Sequence, residues 1–320
     1  MDRIAEQVGF GHGALPCLLA GVSPWLMRRS SSGQSTAPQP GAKARDMMDF
    51  LSAYGPMLIA LAIAGLFAGL AAGLFGIGGG VVIVPVLFFL LDSLGYTETA
   101  MHVAVSTSLA TIILTSVRSV MAHNKRGAVD WRIIRTWSPW IVLGSVIGIL
   151  LAGYFSKQVM LGIFGTVLIL FAAQFYFGRP GWKLAPEMPV GILRAAIGAF
   201  NGALSSIMGI GGGTLGVTLM TLCGMPMHRA VATAAGWGVA IGFPGAIAAM
   251  IVGWGRDGLP PFSAGFVNLP AFALISVFTV LMAPVGAALA HKLDADRLRR
   301  LFGILLGLVS LRMLWQALGL

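Results

Sequence analysis

Two clusters of glycines inside long apolar runs are the residues best placed to do chemistry in this chain. The first, FGIGGG, spans Phe75–Gly80, and the second, MGIGGG, spans Met208–Gly213. A helix that restarts after such a cluster presents free backbone N–H groups and about half a positive elementary charge to whatever lies before it. Because glycine has no side chain, a ligand can approach the backbone closely. The clusters therefore predict an anion site formed by the last three glycines of each: Gly78, Gly79, Gly80, Gly211, Gly212 and Gly213.

Close helix packing is the competing interpretation of these glycines. Gly65, Gly69 and Gly73 recur every four residues, the spacing with which small residues let membrane helices approach one another. We expect Gly65 and Gly69 to serve packing. Three consecutive glycines exceed what packing needs, which favours a binding role at the clusters themselves.

Neutral polar side chains and histidines accompany the clusters in the apolar segments. No Asp or Glu falls within a predicted span. A cation carrier or a carboxylate proton relay would need buried acids, whereas neutral donors and helix N-termini suit an oxyanion. We therefore add eight polar residues to the candidate substrate site: His102, Ser106, Thr107, Ser108, Asn201, Ser205, His228 and Thr233.

Each of these side chains also has a purely structural explanation. Ser and Thr in membrane helices often bond back to their own helix. His102 and His228 could be interfacial residues at helix ends, or either could carry a co-transported proton. The sequence leaves these alternatives open.

Catalysis and metal binding find little support in the sequence. Cys17 and Cys223 lie in different environments, which argues against a disulfide framework or a cysteine-rich metal site. No group of His, Glu, Asp and Cys occurs at ligand spacing. We expect no cofactor and no enzymatic activity; an integral-membrane enzyme or a receptor-like binding protein is the rival from another class.

The elements that must position these residues are membrane helices. The chain is 57% hydrophobic and only 10% charged, with a mean hydropathy of +0.87. A crossing helix needs about 20 apolar residues. The sequence thus predicts an all-α polytopic membrane protein. Its predicted spans are Met57–Phe75 with Gly80–Leu91, Ala100–Ala122, Ile133–Gly153, Val159–Phe177, Val190–Met208 with Thr214–Cys223, Ala230–Trp254, Val267–Ala290 and Leu298–Leu318.

The net charge of +10 does not indicate a nucleic-acid partner. No run of Lys and Arg interleaved with aromatic residues occurs, and most basic residues fall in short loops between spans. Orientation by the positive-inside rule explains this distribution. The expected partners are the lipid bilayer and a small anionic substrate, with a co-transported proton as a further possibility; the oligomeric state is not predicted.

Residues 1–46 differ from the rest of the chain. They contain the Ser-, Pro- and Gln-containing stretch RRSSSGQSTAPQPGAKARD, which cannot bury enough surface to order itself. We expect a flexible N-terminal extension. Met47 and Met48 are candidates for an alternative start.

The remaining chain is an internal duplication. FGIGGG and MGIGGG are followed by MHVAVSTS at Met101–Ser108 and MHRAVATA at Met227–Ala234, and then by IFG and LFG at Ile163–Gly165 and Leu301–Gly303. Three matches in the same order predict two pseudosymmetric repeats, 47–180 and 181–320, each of about four apolar segments with the first broken at GIGGG. A Pro- and Gly-rich linker, 178–189, joins them.

The basic loops favour an inverted arrangement of the two repeats. One cluster follows the second segment of the first repeat (Lys125, Arg126, Arg132 and Arg135), and the other lies one loop later in the second repeat (Lys292, Arg297, Arg299 and Arg300). If both are cytoplasmic, the halves are inverted and each broken segment is a hairpin that returns to its own side. Against this, Arg28, Arg29, Lys43 and Arg45 would then lie outside.

Two long stretches of this sequence resemble the TauE/SafE sulfite-exporter family, also called the toluene-sulfonate uptake permeases. They are HVAVSTSLATIILTSVRSVMAHNKRGAVDW (His102–Trp131) and HRAVATAAGWGVAIGFPGAI (His228–Ile247). The resemblance extends from about Met47 to the C-terminus and implies a carrier of sulfite, sulfonates or related sulfur anions built from two repeats. Ala234 stands in the second repeat where the family usually has serine, so one donor is lost there.

Transport energetics favour export over uptake. Expelling a monoanion from a negative-inside cell gains about 2.3 kcal/mol per 100 mV, so export needs no coupling ion, whereas uptake needs one. The expected function is secondary transport of a small sulfur-containing anion out of the cell. The alternatives are an anion channel and an uptake permease for another small oxyanion.

Overall fold

The computed structural model describes residues 42–76, 78–177, 185, 187–289 and 295–319, with the side chains of 55, 57–76, 78–177, 185, 187–289, 300 and 303–319. The chain divides into two units, Met1–Ala53 and Tyr54–Leu320. In the first unit, residues 42–53 are helical. Ten helices are described: α1 Ala42–Phe75, α2 Gly80–Ser93, α3 Ala100–Asn124, α4 Trp131–Ala152, α5 Lys157–Phe177, α6 Gly191–Ile207, α7 Gly213–Leu222, α8 Met227–Val252, α9 Leu269–Leu289 and α10 Ala295–Ala317.

The predicted apolar spans all coincide with helices. Among the described residues, six helices are long and apolar enough to cross a membrane, and two of the shorter ones, α2 and α7, are the predicted companions that follow the glycine clusters. Residues 1–41 of the expected extension and residues 178–184 and 186 of the expected linker lie outside the described residues, while residues 42–46 belong to α1. The chain is therefore a multi-pass helical membrane protein.

One short element was not expected. Between α8 and α9, β1 (Ser263–Ala264) and β2 (Val267–Asn268) pair antiparallel. Strands of two residues are too short to leave a period-two pattern in the sequence. Asn268 then accepts the N–H of Ala271 through Oδ1 at 3.1 Å, which caps the start of α9.

The order of helix lengths repeats along the chain. In each half a broken pair, α1–α2 or α6–α7, is followed by a long helix, α3 (25 residues) or α8 (26 residues), and by two further helices. The helices α1 to α5 therefore have their sequence counterparts in α6 to α10. The two long helices that follow the broken pairs, α3 and α8, pack against each other.

Glycines at four-residue spacing bring the first helix of each half onto the fourth helix of the other. A Cβ on Gly65 would lie 2.9 Å from Cβ of Phe278, and one on Gly69 would lie 2.6 Å from the carbonyl oxygen of Thr279, so α1 contacts α9 directly. In the other half, a Cβ on Gly198 would lie 2.9 Å from Cβ of Trp140, which places α6 against α4. The predicted packing role of Gly65 and Gly69 is confirmed.

The two long central helices, α3 and α8, run antiparallel. Gly242 of α8 lies beside Leu109 of α3, whereas Gly238, one turn earlier in α8, lies beside Ser116. Residue numbers along the contact therefore increase in α3 as they decrease in α8. By the same criterion α9 runs parallel to α3, because later residues of α9 contact later residues of α3 and of the loop after it. The hydroxyl of Thr115 donates to the hydroxyl of Thr279 at 3.0 Å, and Arg126 donates to the carbonyl of Ala287 at 3.1 Å.

Candidate functional site

Both glycine clusters interrupt a helix, as their composition predicts. In the first, α1 ends at Phe75 and α2 begins at Gly80, and Gly78 and Gly79 adopt the left-handed φ values of 76° and 81°. In the second, the residue before α7 is Gly212 with a φ of 67°. An L-residue with a Cβ adopts this conformation only under strain. No side-chain hydrogen bond caps the start of α2 or of α7.

The two breaks meet at the level of the middle of the central helices. A Cβ on Gly78 would lie 3.2 Å from Cα of Gly211 and 3.3 Å from Cγ2 of Ile112, the midpoint of α3. Gly80 packs against the carbonyl oxygen of Gly209. Irregular backbone at this depth survives in a membrane only where protein or a wet cavity surrounds it. The starts of α2 and α7 therefore converge on one buried place.

Thr107 and Thr233 are engaged in equivalent structural hydrogen bonds. The hydroxyl of Thr107 accepts the backbone N–H of Asn268, and that of Thr233 accepts the backbone N–H of Asp130, both at 3.0 Å. Each bond ties a central helix to the residue that precedes the helix packed beside it. These two hydroxyls therefore hold backbone in place.

Ser108 and Ser205 also have protein partners. Ser108 donates to the carbonyl of Gly209 at 2.8 Å and so fastens the second break to α3. Its counterpart in the second half is Ala234, so the first break has no such bond. Ser205 donates to Oδ1 of Asn201 at 3.0 Å, and Ser106 is buried on α3.

The two histidines differ in their surroundings. His102 is buried, its Nε2 lies 3.1 Å from the carbonyl oxygen of Ala152, and its ring stacks on Phe266 with centroids 5.1 Å apart. His228 is exposed at the start of α8. Their equivalent positions in the sequence therefore do not become equivalent environments.

Asn201 is the candidate residue that lies nearest to the second break with an open donor. It is 3% exposed, and a Cβ on Gly212 would lie 3.7 Å from its Oδ1. Oδ1 accepts from Ser205, and the amide nitrogen Nδ2 has no hydrogen-bond partner among the described residues. Asn201 thus carries an unpartnered donor close to the start of α7.

Three further donors near the second break escaped sequence reasoning. The hydroxyls of Ser116 and Thr214 and the indole Nε1 of Trp237 are buried and have no hydrogen-bond partner. Serines, threonines and tryptophans are common in membrane helices, so residue type alone gave no signal. The structure identifies these three side chains because they lie where α3 of the first half meets α7 and α8 of the second half.

Ionised side chains stay away from this centre. Among the side chains that the structure describes, no Asp, Glu, Lys or Arg is buried. Within the same residues, no group of three His, Cys, Asp or Glu side chains lies close enough together to hold a metal ion. The buried polar side chains at the two breaks are therefore neutral. The positive potential at the breaks comes from the N-terminal ends of α2 and α7.

The family of the chain follows from comparison with known sequences. The family model described as "Sulfite exporter TauE/SafE" matches residues 61–313, which include both breaks and all the residues discussed above. The chain belongs to the sulfite exporter TauE/SafE family. The resemblance noted in the two central helices is thereby confirmed over most of the chain.

Relatives of this TauE/SafE protein are named as membrane transporters. A "Probable membrane transporter protein" of Haemophilus influenzae is 31% identical over 78% of this chain and 96% of its own length. A protein of that description from Methanocaldococcus jannaschii is 26% identical, with 81% and 95% covered, and one from Bacillus subtilis is 28% identical, with 81% and 97% covered. No solved structure matches the chain significantly. The chain is a membrane transporter of the TauE/SafE type.

Proposed function

We propose that this TauE/SafE transporter carries a small sulfur-containing anion, such as sulfite or a short sulfonate, out of the cytoplasm. The observation that carries the proposal is the meeting of two uncapped helix starts at mid-height of α3 and α8. Two positive helix ends in a low-dielectric interior favour an anion. Discontinuous helices of secondary transporters bind anionic substrates in this way.

The character of the buried side chains supports an anion over a cation. Described side chains near the breaks are hydroxyls, an amide and an indole, and none of the described carboxylates is buried. Among the described residues, a buried cation would lack the acidic ligands that intramembrane cation sites commonly use. The family description names sulfite, and the chemistry of a sulfur oxyanion fits this set of donors.

The two halves are proposed to be inverted repeats related by an axis in the membrane plane. The antiparallel course of α3 and α8 supports this, because an axis along the membrane normal would make equivalent helices run in the same direction. The return of Gly79 to Ala68, whose carbonyl oxygen would lie 2.8 Å from a Cβ on Gly79, supports a hairpin at the first break.

The positive-inside rule gives the same orientation to both basic clusters. Arg126, in the loop after α3, donates to the carbonyl of Ala287 near the end of α9 at 3.1 Å. The loop that follows α3 and the end of α9 are therefore at one end of the protein. We assign this end to the cytoplasm because one basic cluster follows α3 and the other follows α9 in the sequence.

Reconstitution into proteoliposomes tests the proposal. Purified protein should catalyse saturable efflux of labelled sulfite and of a two-carbon sulfonate, and should show much less transport of sulfate, chloride or a divalent cation. Exchange of internal labelled substrate for external unlabelled substrate separates a carrier from an anion channel. Transport of the divalent cation with no transport of any oxyanion would contradict the proposal.

A further inference from the structure

Four buried side chains near the start of α7 carry polar atoms for which the described residues provide no hydrogen-bond partner. They are Nδ2 of Asn201, Oγ1 of Thr214, Oγ of Ser116 and Nε1 of Trp237. None of the four residues is more than 3% exposed. Buried polar groups in proteins are almost always hydrogen-bonded, so several open donors at one place indicate a missing acceptor.

Asn201 and Thr214 belong to the two helices that flank the second break. Oδ1 of Asn201 lies beside Gly212, the residue that precedes α7, and Thr214 is the second residue of α7. The first backbone N–H groups of an α-helix lack an acceptor within the helix. These two side chains thus add donors next to the open backbone donors of α7.

Ser116 of α3 and Trp237 of α8 lie near the second break, on the side of the two central helices. A Cβ on Gly238 would contact Oγ of Ser116 and lie 3.3 Å from the carbonyl oxygen of Gly211. The six-membered ring of Trp237 packs on α7, since a Cβ on Gly216 would lie 2.6 Å from its Cε3, and Nε1 lies on the other edge of the indole. All four side chains therefore lie within one or two turns of the second break.

The chemistry of the four donors selects an acceptor. An indole N–H and an amide NH₂ can only donate, so a cation gains nothing from them. The hydroxyls of Ser116 and Thr214 can either donate or accept a hydrogen bond. An oxyanion accepts from several directions, so it is the ligand that suits this set of donors beside the start of α7.

The first half lacks this set. By the spacing of 133 residues between the two glycine clusters, Asn201 corresponds to Ala68 and Thr214 to Val81. By the spacing of 126 residues between His102 and His228, Trp237 corresponds to Thr111, which donates to the carbonyl of Thr107 in its own helix at 2.9 Å. Ser116 corresponds to Gly242, which has no side chain.

We infer that the cargo binds in the second half alone, at the start of α7, held by Asn201, Thr214, Ser116 and Trp237, while the first break serves as a close-packed wall. This assignment rests on the proposed function for the identity of the cargo as a sulfur oxyanion. It replaces a symmetric site between two equivalent helix starts by a one-sided one. Thr214, Ser116 and Trp237 join the binding residues.

The site selects a monoanion of the sulfonate or hydrogensulfite type over a dianion. No described Lys or Arg is buried near the four donors, so a second negative charge would have no counter-charge. The cost of moving an ion into a low-dielectric interior grows with the square of its charge. Sulfate is therefore disfavoured although it offers more acceptor oxygens.

Calorimetric titration of the purified full chain with ethanesulfonate and with sulfite tests the assignment. Thr214→Val and Ser116→Ala each remove one donor with little change of shape, while Trp237→Phe removes the indole N–H together with one ring. Each should weaken binding about 3- to 10-fold. Asn201→Asp keeps the oxygen that accepts from Ser205 but replaces the open donor by a charged oxygen. It should abolish anion binding.

Matched control variants separate binding from packing. Trp137→Phe removes the same atoms from the other ring of the Trp137–Trp237 stack, whose centroids are 5.4 Å apart. Ser276→Ala removes a hydroxyl that is likewise buried and without a partner, but on α9. Both controls should bind within about twofold of the unaltered protein, because neither removes a donor at the start of α7.

The indole N–H gives a direct signature. In a spectrum of ¹⁵N-labelled tryptophan, the indole resonance that is missing from Trp237→Phe should shift downfield when ethanesulfonate is added. It should not shift with equimolar chloride at the same ionic strength. A purely structural tryptophan would not respond to the anion in this way.

The outcomes distinguish the site from the cargo. If all four variants bind sulfur oxyanions with unaltered affinity, the site is overturned and the proposed function stands. The same conclusion follows if the two control variants weaken binding as much as the four site variants do. Binding of nitrate or acetate that the four variants lose, without binding of sulfite or ethanesulfonate, supports the site and overturns the cargo. Absence of binding of any of these anions overturns both.

Discussion

Thr233 accepts the backbone N–H of Asp130, and the same bond recurs between Thr107 and Asn268, each at 3.0 Å. The two pairs occupy equivalent positions in the two halves. One lies near the loop after α3 and the other near the loop after α8, at opposite ends of the antiparallel α3 and α8 pair. Thr107 and Thr233, which occupy the same offset in MHVAVSTS and MHRAVATA, thus have the same structural role, while the polar residues at the breaks differ between the halves.

Replacing either threonine should affect stability and leave affinity unchanged. Thr107→Val and Thr233→Val each remove the acceptor of a backbone N–H, which should cost about 1–3 kcal/mol of unfolding free energy. Thermal unfolding measures the loss, and substrate titration should give an unchanged dissociation constant. Thr136→Val is the control, since Thr136 is partly exposed and bonds only to its own helix at 2.9 Å. A large loss of affinity without loss of stability would return the threonines to the binding site.

The break glycines should tolerate a methyl group less well than a glycine in an open loop. Gly79 and Gly95 both have left-handed φ values, 81° and 91°, but a Cβ on Gly79 would meet Ala68 whereas one on Gly95 meets nothing within 4 Å. Gly95→Ala should cost about 1–2 kcal/mol, the strain of the conformation alone. Gly79→Ala and Gly79→Val should cost more, because the backbone of α1 must also move. Equal melting temperatures for Gly79→Ala and Gly95→Ala would show that the first break accommodates a Cβ at Gly79 without a shift of α1.

Bulk at Gly212 should abolish transport. A Cβ at this position would already contact Cδ1 of Ile241 on α8, so the larger side chain of Gly212→Val has to turn elsewhere. The space beside the amide of Asn201 is the place it would fill. Transport of labelled sulfite in proteoliposomes, normalised to folded protein, measures the effect. Normal transport by a well-folded Gly212→Val protein would contradict a site at the start of α7.

Single-cysteine labelling should place the two basic clusters on one side. After replacement of Cys17 and Cys223, a cysteine at position 126 and one at position 299 should both react with an impermeant reagent applied from the cytoplasm. Tyr154→Cys, at an 88% exposed position in the loop between α4 and α5, should react only from the other side. Reaction of positions 126 and 299 from opposite sides would mean that the repeats are parallel.

The sequence was sufficient for the helices and for the place of the breaks, because long apolar runs and triple glycines are local signals. It was insufficient for the site. His102 and His228 looked equivalent, yet one is buried and the other exposed, because α3 is covered by the loop that carries Phe266 while the start of α8 is not. The surroundings of Ser116 depend on its contact with Gly238, which belongs to the other half of the chain, and local sequence patterns do not show such contacts.

Membrane potential should drive the transport of the anion if no ion is coupled to it. A monoanion that crosses alone gains about 2.3 kcal/mol per 100 mV, which corresponds to an equilibrium ratio of about 50 at 25 °C. In proteoliposomes with a potassium diffusion potential set by valinomycin, labelled ethanesulfonate should leave the negative interior until that ratio is approached, and collapse of the potential should abolish the gradient. Coupling to one proton would make the cycle electroneutral, so the gradient would follow an imposed pH difference and ignore the potential. A sulfonate gradient that follows pH alone would therefore replace export of a free anion by proton-linked transport, and His102, buried beside the carbonyl of Ala152, would be the first residue to test as the proton carrier.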